Sequence, residues 1–274
     1  MPELPEVETM VRALRRQVRG RTIVRSRLIR DDVVKNRSRP AFLRGIRRAE
    51  IRDVYRRAKN VVFDLEEYTL VVQPGMTGSF HLTDASTPVV RSDYPVLTMT
   101  LDDGRRLTYR DVRRLGRIYL LRPDEWRSFS ARIGPEPLDP ALTADAFGAV
   151  LRRSRQAIKK VIMDQRRLAG VGNIYANEAL FVSGIDPSRP ADSLTASDYQ
   201  RLLTAIQDIL RAAVAAEGTT IRDYRTASGK PGGFQTQLFV YGREGEPCRN
   251  CGTPLAATHT IDARTTVFCY HCQR

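Results

Sequence analysis

The chain has 274 residues, enough for two domains that each bury a core, and its 45 Lys and Arg against 31 Asp and Glu give a formal charge of +14. It contains no run of about twenty apolar residues and no basic segment followed by an apolar one at its start. We therefore expect neither a transmembrane helix nor a secretory signal, and we expect a cytoplasmic protein. The charge favours a polyanionic partner such as nucleic acid, although a basic proteome would also produce it.

The first residues, Met1-Pro2-Glu3-Leu4-Pro5-Glu6, combine prolines with two carboxylates. Because Pro2 is small, we expect methionine aminopeptidase to remove Met1 and to leave a secondary amine at the N-terminus. Terminal amines titrate at about pH 8, so part of the population is an unprotonated nucleophile. Such an amine can attack a sugar carbon and form an iminium, which acts as an electron sink. Pro5 and Glu6 are also typical of an ordinary helix start, and on this segment alone that interpretation is favoured.

Apolar residues at helical spacing predict a helix over Glu6–Val18, which Gly20 ends. From Thr22 to Leu121 the chain is rich in short β-branched runs, and Asp102-Asp103-Gly104 is a hairpin signal. This half therefore predicts a β-sandwich or barrel. The predicted strands are Ile23–Ile29, Ile51–Tyr55, Val61–Leu65, Leu70–Val72, Val96–Leu101 and Leu107–Tyr109.

Three connections in this half carry groups suited to nucleic acid. Arg56-Arg57 is expected to form a solvated basic face, and Lys59 beside it is either a phosphate contact or a general acid. Met76 lies between glycines at an expected loop tip, with a buried core methionine as the alternative. The segment 110–116 holds three arginines that suggest a clamp on a nucleic-acid backbone, and Leu115 among them can act as an apolar wedge.

The proline-rich segment Gly134–Pro140 is the best candidate for a domain boundary. We predict an N-terminal domain over 1–132, a linker over 133–140, a helical domain over 141–239 and a terminal segment over 240–274. The glycine-rich stretch 219–233 is expected to be a mobile loop. The predicted helices are Thr143–Arg153, Ala157–Arg166, Ile174–Val182 and Ser197–Glu217.

The sequence Gly170-Val171-Gly172-Asn173 lies between two predicted helices. We expect Asn173 to be the N-cap of the second helix, and a helix N-terminus is suited to binding phosphate. Lys159 and Lys160 strengthen that interpretation. An ordinary joint between two helices is the alternative.

The cysteines form two Cys-x-x-Cys pairs close to the end of the chain: Cys248, Cys251, Cys269 and Cys272. Two such pairs at this separation predict a four-cysteine site for one structural Zn²⁺ ion, in preference to disulfides or an iron–sulfur cluster. Arg264 lies between the pairs, where a hairpin tip can present it to a phosphate, with a solvated surface arginine as the alternative.

In this order and over essentially the whole chain, these motifs resemble the bacterial formamidopyrimidine-DNA glycosylase family. The motifs are Pro2–Thr9, Arg57-Ala58-Lys59, Gly75-Met76-Thr77-Gly78, Gly134–Leu138, Gly170–Tyr175, Tyr241-Gly242-Arg243 and the four cysteines. The resemblance implies an α+β multidomain fold. It has an N-terminal helix plus a β-sandwich, then a helix–two-turn–helix domain with a C-terminal zinc β-hairpin finger, and DNA lies across the cleft between the halves.

The resemblance further implies a base-excision-repair DNA glycosylase with AP lyase activity. Such an enzyme removes oxidised purines, namely 8-oxoguanine and formamidopyrimidines, from damaged duplex DNA after flipping the nucleotide out. Pro2 would attack the anomeric carbon, and β,δ-elimination would follow. Glu3 matches the acid–base carboxylate and Glu6 its support. Lys59 matches a lysine that contacts phosphate and assists catalysis, and Arg264 is assigned to both catalysis and phosphate binding.

The remaining matched positions are expected DNA contacts. Met76, Arg113 and Leu115 would fill the void that flipping leaves, with Arg113 facing a cytosine. Tyr94 is a further DNA contact, and Lys159, Asn173 and Arg264 would hold phosphates. Thr220, Arg222 and Tyr224 belong to the stretch expected to close over the flipped base.

The chain departs from the family pattern near the expected lesion side. Gln73-Pro74 stands where His-Leu is common in the family, and Tyr94 stands where a histidine is common. Val112 replaces the usual proline, and Leu115 replaces the usual phenylalanine. These changes keep open an endonuclease VIII-like glycosylase for oxidised pyrimidines. A non-catalytic zinc-finger protein that binds damaged DNA is another alternative.

We expect the protein to be a monomer that is associated with the nucleoid.

Overall fold

The computed structural model describes residues 1–219 and 232–274 of the chain. Two compact units are present. The first contains Met1–Ala131 with Thr219 and Gly232, and the second contains Arg132–Gly218 and Gly233–Arg274. The cysteine-bearing segment thus belongs to the same compact unit as the helices, and the finer division at 140 and 239 stays a prediction. Within the described ranges, no helix is both long and apolar enough to cross a membrane.

The first unit is a β-sandwich with a helix packed on it. Among its described residues, one sheet has the order β1-β6-β7-β5 and the other β2-β3-β4-β8, with antiparallel neighbours in both. The apolar faces of the two sheets share one core, in which the rings of Phe63 and Phe80 lie 5.7 Å apart. The elements are α1 (Leu4–Val18), β1 (Ile23–Leu28), α2 (Arg39–Ile46), β2 (Ile51–Arg57), β3 (Asn60–Leu65), β4 (Thr69–Gln73), β5 (Gly78–Asp84), β6 (Pro95–Leu101), β7 (Arg105–Asp111), β8 (Arg117–Leu121) and α3 (Pro123–Ala131).

Helix α1 buries Val7, Val11, Leu14 and Val18 in the sandwich core, as its helical spacing predicts. It begins at Leu4, two residues before the predicted start, with Glu3 at the N-cap position and Glu6 completing a capping box. The apolar face of this helix therefore anchors the first residues of the chain to the sandwich.

All six predicted strands are confirmed, and the turn at Asp102-Asp103-Gly104 joins β6 to β7 with Gly104 at a positive φ of 81°. The sequence interpretation missed β5 and β8 as well as α2 and α3. Strand β5 has the alternation that could have revealed it, since Phe80 and Leu82 pack inward between polar neighbours. Its proximity to the glycine-rich turn at 75–78 hid that pattern.

The second unit is built from helices and one small hairpin. The helices are α4 (Ala144–Leu151), α5 (Ile158–Met163), α6 (Asn173–Val182) and α7 (Ala196–Ala215), and the hairpin strands are β9 (Ala256–Thr258) and β10 (Thr266–Phe268). Helices α4, α5 and α7 are shorter than predicted; α5 ends at Met163 because the Asp164 carboxylate accepts from the Arg166 N–H at 3.1 Å and starts a turn. Helix α6 packs against α5, α7 and β10, so it is the centre of this unit.

Candidate functional site

Two buried carboxylates lie at the N-terminus of α1. Glu3 is 3% exposed and Glu6 is 2% exposed. The Glu6 side chain accepts from the Glu3 N–H through Oε2 and from the Thr219 N–H through Oε1, each at 2.8 Å. Glu6 therefore holds the residue that follows Pro2 and also residue 219. Thr220, Arg222 and Tyr224 lie outside the described residues.

Lys59 occupies the tight turn between β2 and β3, where Ala58 has a positive φ of 52°. The turn is held against α1 because Arg56 donates to the Glu8 carboxylate at 3.1 Å and to the Ala58 carbonyl at 3.0 Å. Asn60 also donates to the Arg57 carbonyl at 2.9 Å. The structure thus places the turn that carries Lys59 beside the N-terminal half of α1, at Glu8.

The expected solvated basic face at Arg56-Arg57 is wrong. The Arg56 side chain is 9% exposed and paired with Glu8. Arg57 donates to the Ser130 hydroxyl at 3.1 Å and to the Ser130 carbonyl at 3.2 Å, at the end of α3. These arginines brace the turn, and the sequence carried no local signal for partners so far away along the chain.

Met76, Arg113 and Leu115 come together on the surface of the first unit. Met76 is 40% exposed and Leu115 is 49% exposed, so the alternative of a core methionine is wrong. The Arg113 guanidinium donates to the Met76 sulfur at 3.2 Å. These side chains belong to two connections, β4–β5 and β7–β8, and we call them the exposed triad.

Two neighbours of the exposed triad are engaged within the protein. Arg110 pairs with Asp93 at 3.1 Å and Arg114 with Asp32 at 3.2 Å, so both have carboxylate partners within the chain. Tyr94, next to Asp93, is an exposed residue with a left-handed backbone (φ 52°). Its carbonyl accepts from the Asp111 N–H at 3.1 Å, which places it beside the strand that leads into the triad.

In the second unit, α6 holds the β9–β10 hairpin. Asn173 donates to the Thr265 carbonyl at 3.1 Å, and the Asn177 side-chain carbonyl accepts from the Val267 N–H at 2.9 Å. Gly172 is the N-cap, and Asn173 is the first helical residue, so the expected N-cap role of Asn173 is wrong. The Asn173 side-chain amide instead binds the hairpin, because the Thr265 carbonyl lies within hydrogen-bond distance.

Lys159 is 0% exposed, and its ammonium group faces the same hairpin. Its Nζ donates to the Thr266 hydroxyl at 2.7 Å and to the Thr265 carbonyl at 3.3 Å, and it lies 3.7 Å from the Asp262 carboxylate. Its expected phosphate contact stays a prediction. Lys160, by contrast, is exposed and lines an open groove of about 280 Å³ together with Arg264 at the hairpin tip.

The four cysteines meet at one point beside this hairpin. Their sulfur atoms all lie within 4.8 Å of one another, with Cys251 and Cys269 at 3.5 Å and Cys248 and Cys272 at 3.9 Å. A tetrahedral ion bound at the usual zinc–sulfur distance separates its sulfur ligands by about 3.8 Å. The four thiols therefore fit a closed metal site.

Glu178 and Arg243 support this site, and sequence reasoning missed the role of both. The buried Glu178 carboxylate accepts from the N–H groups of Phe239, Val240 and Tyr241 at 2.7 to 3.0 Å. Burial raises the pKa of Glu178, against the opposing effect of those N–H groups. Arg243 donates to the Phe239 carbonyl at 2.6 Å and to the Pro247 carbonyl at 3.1 Å. Segment 239–247 is thereby held between a carboxylate and a guanidinium.

The chain thus combines a β-sandwich that has buried acids at its first helix with a helical unit whose hairpin lies beside four clustered cysteines. Family models match both parts, namely the formamidopyrimidine-DNA glycosylase N-terminal domain over residues 1–118 and the formamidopyrimidine-DNA glycosylase H2TH domain over residues 133–225. The formamidopyrimidine-DNA glycosylase of Thermomicrobium roseum is 42% identical, with 100% of this chain and 99% of that protein covered.

Solved structures show the same likeness. The MutM (Fpg) protein of Thermus thermophilus is 40% identical with a TM-score of 0.86, covering 99% of this chain and 98% of that one. A Lactococcus lactis Fpg mutant in complex with Fapy-dG-containing DNA is 30% identical with a TM-score of 0.91, and all of both chains is covered. The chain belongs to the formamidopyrimidine-DNA glycosylase family, and it is a DNA glycosylase, a DNA-binding enzyme of DNA repair.

The position of Lys159 leads to a prediction about stability. Lys159→Met removes a buried ammonium that binds Thr265 and Thr266, and we expect it to lower the free energy of unfolding by about 2–4 kcal/mol. The matched control is Lys160→Met, which changes an exposed neighbour on the same helix and is expected to change stability by less than about 0.5 kcal/mol. Urea unfolding followed by circular dichroism measures both. Equal stability of the two variants would contradict the placement of Lys159.

Proposed function

We propose that this protein is a bifunctional glycosylase and AP lyase that excises oxidised purines, 8-oxoguanine and formamidopyrimidines, from damaged duplex DNA with Pro2 as the nucleophile. The observation that carries the proposal is the arrangement at the start of α1. There, a proline next to two buried carboxylates precedes a helix that is anchored to the sandwich core, and the turn of Lys59 is held against that helix at Glu8. The named relatives, formamidopyrimidine-DNA glycosylases, support the substrate class.

The geometry supports a nucleophile that is held in place. Glu6 binds the Glu3 N–H, so the backbone next to Pro2 is fixed by a side chain that is itself buried. Glu3 adjoins Pro2 and is the carboxylate we assign to proton transfer, while Glu6 is assigned to holding the backbone.

The proposed reaction needs water as its only further reactant, because water hydrolyses the last iminium and restores the Pro2 amine. The Pro2 amine forms a bond to C1′ of the flipped nucleotide as the bond from C1′ to the damaged base breaks, and the base leaves with a proton. The C1′–O4′ bond then breaks as O4′ takes the proton from the Pro2 nitrogen, and the ring-opened iminium that results acidifies the hydrogen on C2′. Loss of that proton expels the 3′ phosphate, and a second elimination expels the 5′ phosphate. We assign Lys59 to phosphate contact and proton transfer in these eliminations, and Arg264 to phosphate contact and to stabilising the charge on the departing phosphates.

We assign contact with DNA to the remaining predicted residues. The exposed triad has two apolar side chains and a guanidinium, which suits filling the gap left by a flipped nucleotide and facing the opposite base. Tyr94 adjoins the triad through Asp111. Asn173 and Arg264 lie on or beside the hairpin, where a guanidinium and an amide suit phosphate. We also assign Lys159 to phosphate binding. It acts by holding the hairpin, through Thr266, that presents Arg264.

We propose that the metal is one structural Zn²⁺. All four ligands would be thiolates of this chain, which leaves no open position for substrate, and the ion would rigidify the segment that carries Arg264. Since the proposed substrate is chromosomal duplex DNA, we place the enzyme in the cytoplasm at the nucleoid, acting as a monomer.

The first test combines substrate choice with trapping. With borohydride present, we expect a covalent adduct on 8-oxoguanine duplexes and much less on thymine-glycol duplexes, because the iminium is reducible. The control is the same protein produced with methionine aminopeptidase inhibited, in which Pro2 nitrogen is an amide; intact mass verifies each form. An equal adduct from the form that keeps Met1 would exclude Pro2 as nucleophile. Faster turnover of thymine glycol would favour the oxidised-pyrimidine alternative.

The second test separates proton transfer from binding. Glu3→Gln keeps the size of the side chain and removes the titratable group, so excision should fall by about 10²–10⁴-fold. The Kd for a duplex with a stable abasic analogue should change by less than about threefold. Glu66→Gln, which changes an exposed acid in the same unit, should leave both values as they are. Equal loss of excision and binding in Glu3→Gln would indicate a structural role.

The third test concerns the metal. Metal analysis should find one zinc per chain, and stripping it with a chelator should weaken DNA binding by more than about tenfold while the sandwich core stays folded. Readdition of Zn²⁺ should restore binding. Stoichiometric iron, or global unfolding on chelation, would contradict a small structural zinc site.

A further inference from the structure

The exposed triad is built from two loops that are not adjacent in sequence. Met76 comes from the β4–β5 connection, while Arg113 and Leu115 come from the β7–β8 connection. Three side chains that fill one gap must keep a constant spacing, so something must join the loops. The residue that does so, Asp111, has no part in the function assigned above.

Asp111 is 0% exposed and reaches both loops. Its Oδ1 accepts from the Thr77 hydroxyl at 2.6 Å, and its Oδ2 accepts from the Gly116 N–H at 2.7 Å. The Thr77 hydroxyl in turn accepts from the Arg113 N–H at 3.0 Å. One buried carboxylate and one hydroxyl thus link the residue after Met76, the backbone of Arg113 and the residue after Leu115.

The surroundings leave this link little freedom. A Cβ on Gly75 would lie 2.7 Å from the Gly116 nitrogen, so the two loop backbones touch, and Gly75 has a positive φ of 64°. A Cβ on Gly116 would overlap the buried Tyr109 hydroxyl. Burial and the neighbouring Asp111 carboxylate raise the pKa of Tyr109, so its hydroxyl stays protonated as a further donor near Asp111.

We propose that Asp111 is a specificity-determining positioning residue: through Thr77 and Gly116 it sets the exposed triad as one unit, and so controls discrimination of the base opposite the lesion. Asp111 touches no DNA in this role. The proposal rests on the proposed function, because it assumes that Arg113 faces the opposite base. A displaced guanidinium still carries its charge, so overall attraction to DNA remains while the choice between bases is lost.

The test uses a matched pair of variants. Thr77→Val removes the hydroxyl at nearly constant shape, and Thr77→Ser keeps the hydroxyl. Asp111→Asn is the second probe, because the asparagine NH₂ group is a hydrogen-bond donor at a position where a carboxylate oxygen of Asp111 accepts. Two ratios are measured for cytosine against adenine opposite the site. One is single-turnover excision of 8-oxoguanine, and the other is the Kd for a duplex with a tetrahydrofuran abasic analogue.

We expect the wild type to prefer cytosine. In Thr77→Val and Asp111→Asn, both cytosine-to-adenine ratios should be about tenfold smaller than in the wild type. In Thr77→Ser, both ratios should stay within about twofold of the wild-type values. A merely structural role would weaken both opposite bases equally and leave the ratios unchanged. That result, or a wild type without any preference, would overturn the proposal. A wild type that discriminates in binding but excises nothing would instead refute the proposed function and leave the role of Asp111 intact.

Discussion

A carboxylate that is removed from water must find hydrogen-bond donors, and this requirement shapes three functional segments of the protein. Glu6, Asp111 and Glu178 are all buried, and each accepts from backbone N–H groups of a segment outside its own helix turn or strand. The donors are in turn fixed by the acid. In this way Glu6 holds residue 219, Asp111 holds the β7–β8 connection and Glu178 holds the segment that leads to the cysteines.

The positive charges are organised in the same way. The net charge of +14 suggests a surface covered with free cations, yet Arg56, Arg110 and Arg114 pair with Glu8, Asp93 and Asp32. Arg243 donates to carbonyls, and Lys159 is buried against Thr266. Several basic residues therefore organise loops, and the exposed cations we assign to DNA, such as Arg113 and Arg264, are those that these organised loops present.

Prediction from the sequence succeeded where the signal is local. The two Cys-x-x-Cys pairs, the apolar spacing of α1 and the β-branched strands each depend on neighbours within a few residues, and the structure has all of them. Prediction failed where a polar group has a distant partner. Arg56-Arg57 resembles a solvated face in sequence because neither Glu8 nor Ser130 is close along the chain. Asn173 resembles an N-cap in sequence, because its hydrogen bond to the Thr265 carbonyl forms only when the hairpin folds back onto α6.

The amino-acid sequence was sufficient to predict the order of the parts: a proline with two acids near the start, a β-rich half, a helical half and a four-cysteine segment. Which polar groups are buried, and which segments they hold, is visible only in the folded chain. Lys159 meets Thr265 across 106 residues, and Asp111 meets Thr77 across 34. Periodicity records which face of an element is apolar, whereas the partner of a buried charge depends on how distant elements pack and exclude water.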